Sequence, residues 1–152
     1  MQVEGQYTIH APIERVWAYL QDPAGLQACI PGCEKLESRG EDSYEATLKV
    51  GVAAVKGTYQ GKVTIADKEP PRRYRMLVEG SGGPGFVRGE AAIELTATDP
   101  NTTLVQVKGD GQVGGTVAGV GQRMLGGVAK MLMKQMFDCV KARVEAVGQS
   151  SA

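Results

Sequence analysis

The chain has 152 residues, room for one domain with a single core, and balances 17 Lys plus Arg against 17 Asp plus Glu. A formal charge of zero excludes the general basic excess that nucleic-acid binders carry. No uninterrupted apolar run of about 18 residues occurs, which excludes a helix spanning a membrane.

Gln2 to Ile9 alternates, with Val3, Tyr7 and Ile9 on one face, and predicts a half-buried strand. Pro12 suits a first helical turn, and Ile13, Val16, Trp17 and Leu20 follow at helical spacing. Asp22-Pro23 supplies a cap and a first-turn proline for a second short helix over about residues 23–29. From Glu34 to Val113 every signal is strand or turn. Tyr44, Ala46, Leu48 and Val50 alternate, then Val55, Tyr59, Val63 and Ile65 do so in the opposite phase, so a turn or bulge is expected at Gly51–Ala54. Pro70-Pro71 ends that run, and Tyr74, Met76 and Val78 begin the next. Two further runs follow the GSGGPG segment at 80–85 and the DPNTT turn at 99–103, which makes an antiparallel meander.

Residues 116–147 read as one long helix. At about 100° per residue, Leu125, Val128, Leu132, Met136 and Cys139 share a face. Arg123, Lys130, Lys134 and Lys141 lie opposite, within about 20° of a common line. The amphipathic stripe must bury against the covered face of the sheet. The core has little bulk for this: glycine numbers 21, against two Phe, five Tyr and one Trp. Gly57, Gly61, Gly89, Gly109 and Gly111 fall in the phase of their strands' apolar residues, where they leave space and let the sheet bend. Residues 1–147 are expected to form a single α+β domain and 148–152 a disordered tail.

QACIPGCEKLE at 27–37 places Cys29 and Cys33 around a Pro-Gly pair, with Cys139 remote. An odd count without a signal-peptide pattern predicts free thiols in a reducing, cytoplasmic compartment. The C-x3-C spacing and a single histidine, His10, do not make a metal site. A structural or cavity-lining role for the cysteines stands against redox pairing of Cys29 with Cys33. His10 reads as a surface residue rather than a general base, since no carboxylate or nucleophile partner accompanies it in sequence. Tyr44, Tyr59 and Tyr74 are either packing or groups that orient a ligand oxygen. GSGGPGF lacks the Lys and Ser/Thr of a phosphate loop and reads as a mobile segment. Gly126-Gly127 inside the helix marks either close approach to the sheet or a bend. Met124, Met131, Met133 and Met136 fill core or line an adaptable apolar surface.

This pattern resembles the helix-grip architecture of START-related domains (the SRPBCC superfamily), a curved antiparallel sheet wrapped around a long C-terminal helix, with two short helices after the first strand. More closely, APIERVWAYLQDP at 11–23, IPGCEKLE at 30–37, YQGKVTIADKEPPRRYRM at 59–76 and GGTVAGVGQRM at 114–124 resemble the CoxG-like family, named for the G subunit of carbon monoxide dehydrogenase. The resemblance implies an accessory role beside a molybdenum hydroxylase of the carbon monoxide dehydrogenase type, including association with the membrane, and no shared catalytic constellation. Longer members carry a C-terminal extension suited to anchoring, whereas this chain stops a few residues after Val147.

A cavity of that kind is expected to be lined by Trp17, Cys29, Ile30, Tyr59, Met76, Leu125, Val128, Leu132, Met136 and Cys139. Gly82, Gly83, Pro84, Gly85 and Phe86 would form a loop at its mouth. Arg123, Lys130, Lys134 and Lys141 are either the solvated back of the helix or a contact for anionic lipid or an acidic partner. The leading expectation is a non-catalytic carrier of a lipophilic small molecule, quinone- or lipid-like, with no cofactor, cytoplasmic or peripheral at the inner face of the membrane. An interaction or assembly module for the dehydrogenase comes second, and a cyclase- or hydratase-type enzyme third.

Overall fold

The computed structural model describes residues 1–51, 55–83 and 85–150, without the side chains at 122 and 147–150. The turn expected at Gly51–Ala54 therefore falls mostly, at 52–54, outside the described residues, as do Pro84 and the last two residues of the expected tail.

Strand β1 (Gln2–Ile9) leads into α1 (Ile13–Leu20) and α2 (Pro23–Cys29). Six strands follow: β2 (Cys33–Ser38), β3 (Ser43–Val50), β4 (Gly57–Glu69), β5 (Arg73–Gly82), β6 (Gly85–Asp99) and β7 (Thr102–Gly114). A 3-10 turn (Thr116–Val120) then delivers the chain to α3 (Gln122–Ser150). The seven strands form one antiparallel sheet in the order β1-β7-β6-β5-β4-β3-β2. Only β1 is out of sequence: it closes the edge beside β7, and the two short helices carry the chain from there to the opposite edge.

Local chemistry accounts for the joints. The Asp22 side chain accepts from Ala24 N, and Pro23 sits in the first turn of α2. After α2, the Ile30–Cys33 corner closes with Cys33 N donating to Ile30 O at 3.1 Å. Gly32 has φ +75°, and a Cβ there would stand 2.2 Å from Lys49 O, so only glycine serves at that corner. Lys49 N returns a 2.8 Å bond to Gly32 O, which fastens the corner to β3. The IPGC segment is thus the joint between helix and sheet.

The GSGGPG segment is not the open loop its composition suggests. β5 runs on through Gly82, β6 begins at Gly85, and the two pair directly. Phe86 points to the outer face at 51% exposure, its ring lying over Gly114. It therefore lines no interior.

The main core sits at one end of the sheet's inner face. Ile9, Val16, Leu20, Tyr74, Ile93, Leu95 and Val105 meet Phe137, Val140 and Val144 of α3. Phe137 stacks on Tyr7 with ring centroids 4.5 Å apart, and the buried Thr103 hydroxyl donates to Ala11 O at 2.9 Å. A second, smaller cluster of Val55, Val117 and Leu125 lies under the start of α3.

Candidate functional site

Antiparallel pairing places directly opposed residues on the same face, so the inner surface can be read row by row. Tyr74, Ile93 and Val107 make one row, and Leu95, Val105 and Tyr7 the next. These carry large side chains and belong to the main core. Moving along the strands in the other direction, the rows thin. Ile65, Met76, Ala91 and Gly109 come first, then Tyr44, Val63, Val78, Gly89 and Gly111, then Ala46, Gly61, Gly80, Val87 and Val113. Each of these three rows carries one or two glycines, and Tyr44 is their only titratable side chain.

The first two rows of this glycine band reach the main core through Ile65, Met76, Ala91, Tyr44 and Val63, and the third touches the second cluster through Val113. Leu48, Val78 and Val87 face inward there, half-buried, and pack against neither cluster. Leu132 on α3 is likewise half-buried and outside both. A Cβ added at Gly80 would meet only Gln60 O, at 3.8 Å; one at Gly109 would find nothing nearer than 3.5 Å. On α3, Cβ atoms at Gly126 and Gly127 would meet nothing within 4 Å, and Gly127 is exposed. Close approach to the sheet is therefore not why these two glycines are there.

Tyr74 stands at the floor of the band, 2% exposed and edge-on to Trp17 with centroids 5.4 Å apart. Its hydroxyl has no hydrogen-bond partner among the described residues, and burial pushes its pKa well above the ordinary tyrosine value. Tyr59, at the far end, is raised less by burial, and its hydroxyl donates to Val55 O at 2.7 Å.

The residues expected to line a cavity are thus divided. Trp17, Ile30, Met76 and Met136 pack on the margin of the main core. Leu125 and Val128 belong to the second cluster, and Leu132 lies between the two. Cys29 and Cys139 are bonded to each other, with Cα atoms 5.4 Å apart. They are not free thiols, Cys29 does not pair with Cys33, and the compartment argument from three thiols loses its premise. Cys33 alone is free, its thiol pKa raised by burial. The sequence pattern missed Phe137, Val140 and Val144 as the stripe's buried centre.

Other expected sites separate as well. Lys134 pairs with Asp138 at 2.6 Å; Lys141 pairs with Glu145 at 2.7 Å and donates to Thr8 O. Arg123 and Lys130 stay exposed, without an ion pair among the described residues. His10 is exposed. No group of three or more His, Cys, Asp or Glu among the described residues is placed to hold a metal, and no described helix is long and apolar enough to cross a membrane.

A groove of about 500 Å³ on the outer face runs over Glu45, Lys62, Glu79 and Arg88 and takes in Gly61, Gly80 and Val87 of the band's third row. Another, of about 580 Å³, opens where α2, β2 and α3 meet, beside the disulfide.

A family model for the G subunit of carbon monoxide dehydrogenase (CoxG) matches residues 5–145. A conserved protein from Geobacillus kaustophilus is 42% identical, with TM-score 0.94 over 96% of each chain. A START superfamily protein from Mycobacterium smegmatis superposes with TM-score 0.75 at 14% identity, over 96% of this chain and 98% of that one. The ZhuI aromatase/cyclase from Streptomyces sp. R1128 does so at 0.70 and 20%, over 95% and 93%. These two likenesses are of fold. No curated protein matches the chain significantly in sequence.

Proposed function

This chain belongs to the CoxG family, that of the carbon monoxide dehydrogenase G subunit, and we propose that it carries a lipophilic small molecule in the thin region between sheet and α3. The glycine band carries this reading. Three successive inner rows with almost no polar group and little bulk make a surface that recognises by apolar burial, at about 25 cal/mol per Å² removed from water. The orphan hydroxyl of Tyr74 adds a donor at the floor, so the preferred guest has an acceptor oxygen, as a quinone or a lipid carbonyl does. Family membership supports an accessory role beside a molybdenum-containing dehydrogenase, to whose electron acceptors such a molecule is chemically suited. Peripheral contact with a membrane rests on less, because two of the four stripe cations are paired internally.

Native mass spectrometry of the purified chain, with organic extraction, tests the proposal. A bound apolar molecule is expected in the parent, absent from Gly80→Leu and Gly109→Leu, which fill the band. Gly80→Leu protein that folds and takes up a hydrophobic quinone as well as the parent would overturn it.

A further inference from the structure

All three cysteines line the groove at the end of α2, together with Ile30, Lys49 and Gln135. The disulfide is thus reached from the surface, yet its two halves differ. Cys29 is 4% exposed, whereas Cys139 is only half-buried on α3. The Tyr19 hydroxyl stands 3.3 Å from Cys29 Sγ and donates to Gly25 O at 2.9 Å. Burial raises the Tyr19 pKa, and the Arg143 charge acts against that rise. A disulfide opens when a thiolate attacks one sulfur and the other leaves, and the departing sulfur is favoured where its negative charge is stabilised.

We propose that Cys29–Cys139 is a thiol-exchange site for a dithiol reductant, with Cys139 the attacked sulfur and Cys29 the leaving group. The reductant's thiolate forms a bond to Cys139 Sγ, and the electron pair of the old S–S bond departs on Cys29 Sγ. The Tyr19 hydroxyl turns from Gly25 O to donate to that thiolate. The reductant's second thiolate then displaces Cys139 and closes the reductant's own disulfide. Two electrons pass from dithiol to protein, and the two cysteine sulfurs take up protons from water. Cys33 is a poor internal attacker, since burial favours its protonated form and its Sγ donates to Lys35 O at 3.4 Å. The bond is the covalent tie between α2 and α3, so its reduction frees α2 at the main core, to which Leu26 and Cys29 belong. None of this requires that the thin region hold a ligand.

The test uses the oxidised full chain carrying Cys33→Ser, treated with dithiothreitol at neutral pH, quenched with iodoacetamide and mapped by peptide mass. Reduction is expected under native conditions. Tyr19→Phe is expected to slow it about tenfold, with the rate in denaturant unchanged. A monothiol, 2-mercaptoethanol, should be trapped on Cys139, and α2 amides should exchange at least tenfold faster after reduction. A bond reduced only after unfolding would overturn the proposal. So would trapping on Cys29, a Tyr19→Phe chain that reduces as fast as the parent or faster, or α2 exchange that reduction leaves unchanged.

Discussion

The two ends of the space under α3 are built from the same strands in opposite ways. At one end, Tyr74, Ile93, Leu95, Val105 and Tyr7 fill the sheet's inner face, and Phe137, Val140 and Val144 press onto them. At the other, the strands present Gly61, Gly80, Gly89, Gly109 and Gly111, close to a neighbouring strand's backbone at Gly61 and Gly89 and open at Gly80 and Gly109. Helix α3 carries Gly126-Gly127, of which Gly127 is exposed. The contrast teaches that rigidity and capacity are kept apart: the packed end holds the fold, and the thin end is free to be something else.

Truncation should break the symmetry between the ends most visibly. Phe137→Ala removes a ring that is 3% exposed and stacked on Tyr7, and should cost about 3–5 kcal/mol in urea unfolding. Leu125→Ala, in the small second cluster, should fall at the low end of its class, about 2 kcal/mol. Equal losses would mean that the two ends are packed alike, and the comparison would fail.

A smaller effect of opposite sign is expected in the helix. Glycine costs roughly 1 kcal/mol relative to alanine inside a helix. Methyl groups at Gly126 and Gly127 meet nothing. Gly126→Ala and Gly127→Ala should therefore each raise stability by about that amount. A loss in either would show that α3 comes closer to the sheet than its geometry indicates.

Much of this architecture was legible because strands announce their faces. A period of two places Gly61, Gly89, Gly109 and Gly111 on the inner side without reference to any partner, and pairing confirms each. The helix was less legible. A wheel at about 100° per residue averages the whole segment onto one stripe, but α3 leans on different neighbours along its length. Phe137, Val140 and Val144 sit about 60–120° around from Leu125, so the buried face turns between the two halves. The Cys29–Cys139 bond could not be read from spacing, since a separation of 110 residues says nothing of proximity until α2 and α3 are placed together. The 80–85 segment was misread because glycine composition is common to loops and to strands whose backbones pass closely. At Gly82 a Cβ would stand 2.3 Å from Thr58 O, which is the mark of the second case.

Tyr74 lies on the boundary between the two ends, and its hydroxyl offers the finest test of where one stops. At pH 8 the group is neutral folded and unfolded alike, and Tyr74→Phe removes only a buried donor without a partner. The variant should then be more stable than the parent by about 1 kcal/mol. As pH climbs past the ordinary tyrosine value of about 10, the unfolded parent chain releases this proton while the folded one, its pKa raised by burial, retains it. The unfolded state therefore binds fewer protons, and parent stability falls with rising pH by up to about 1.4 kcal/mol per unit from this one group. The Phe variant lacks that contribution but keeps those of Tyr7, Tyr19 and Tyr59, so the gap between the two proteins should widen from about pH 9 to 11 in matched urea titrations. A constant gap would mean that Tyr74 ionises in place, which requires water at the floor and would make the band a wet cleft rather than an apolar one.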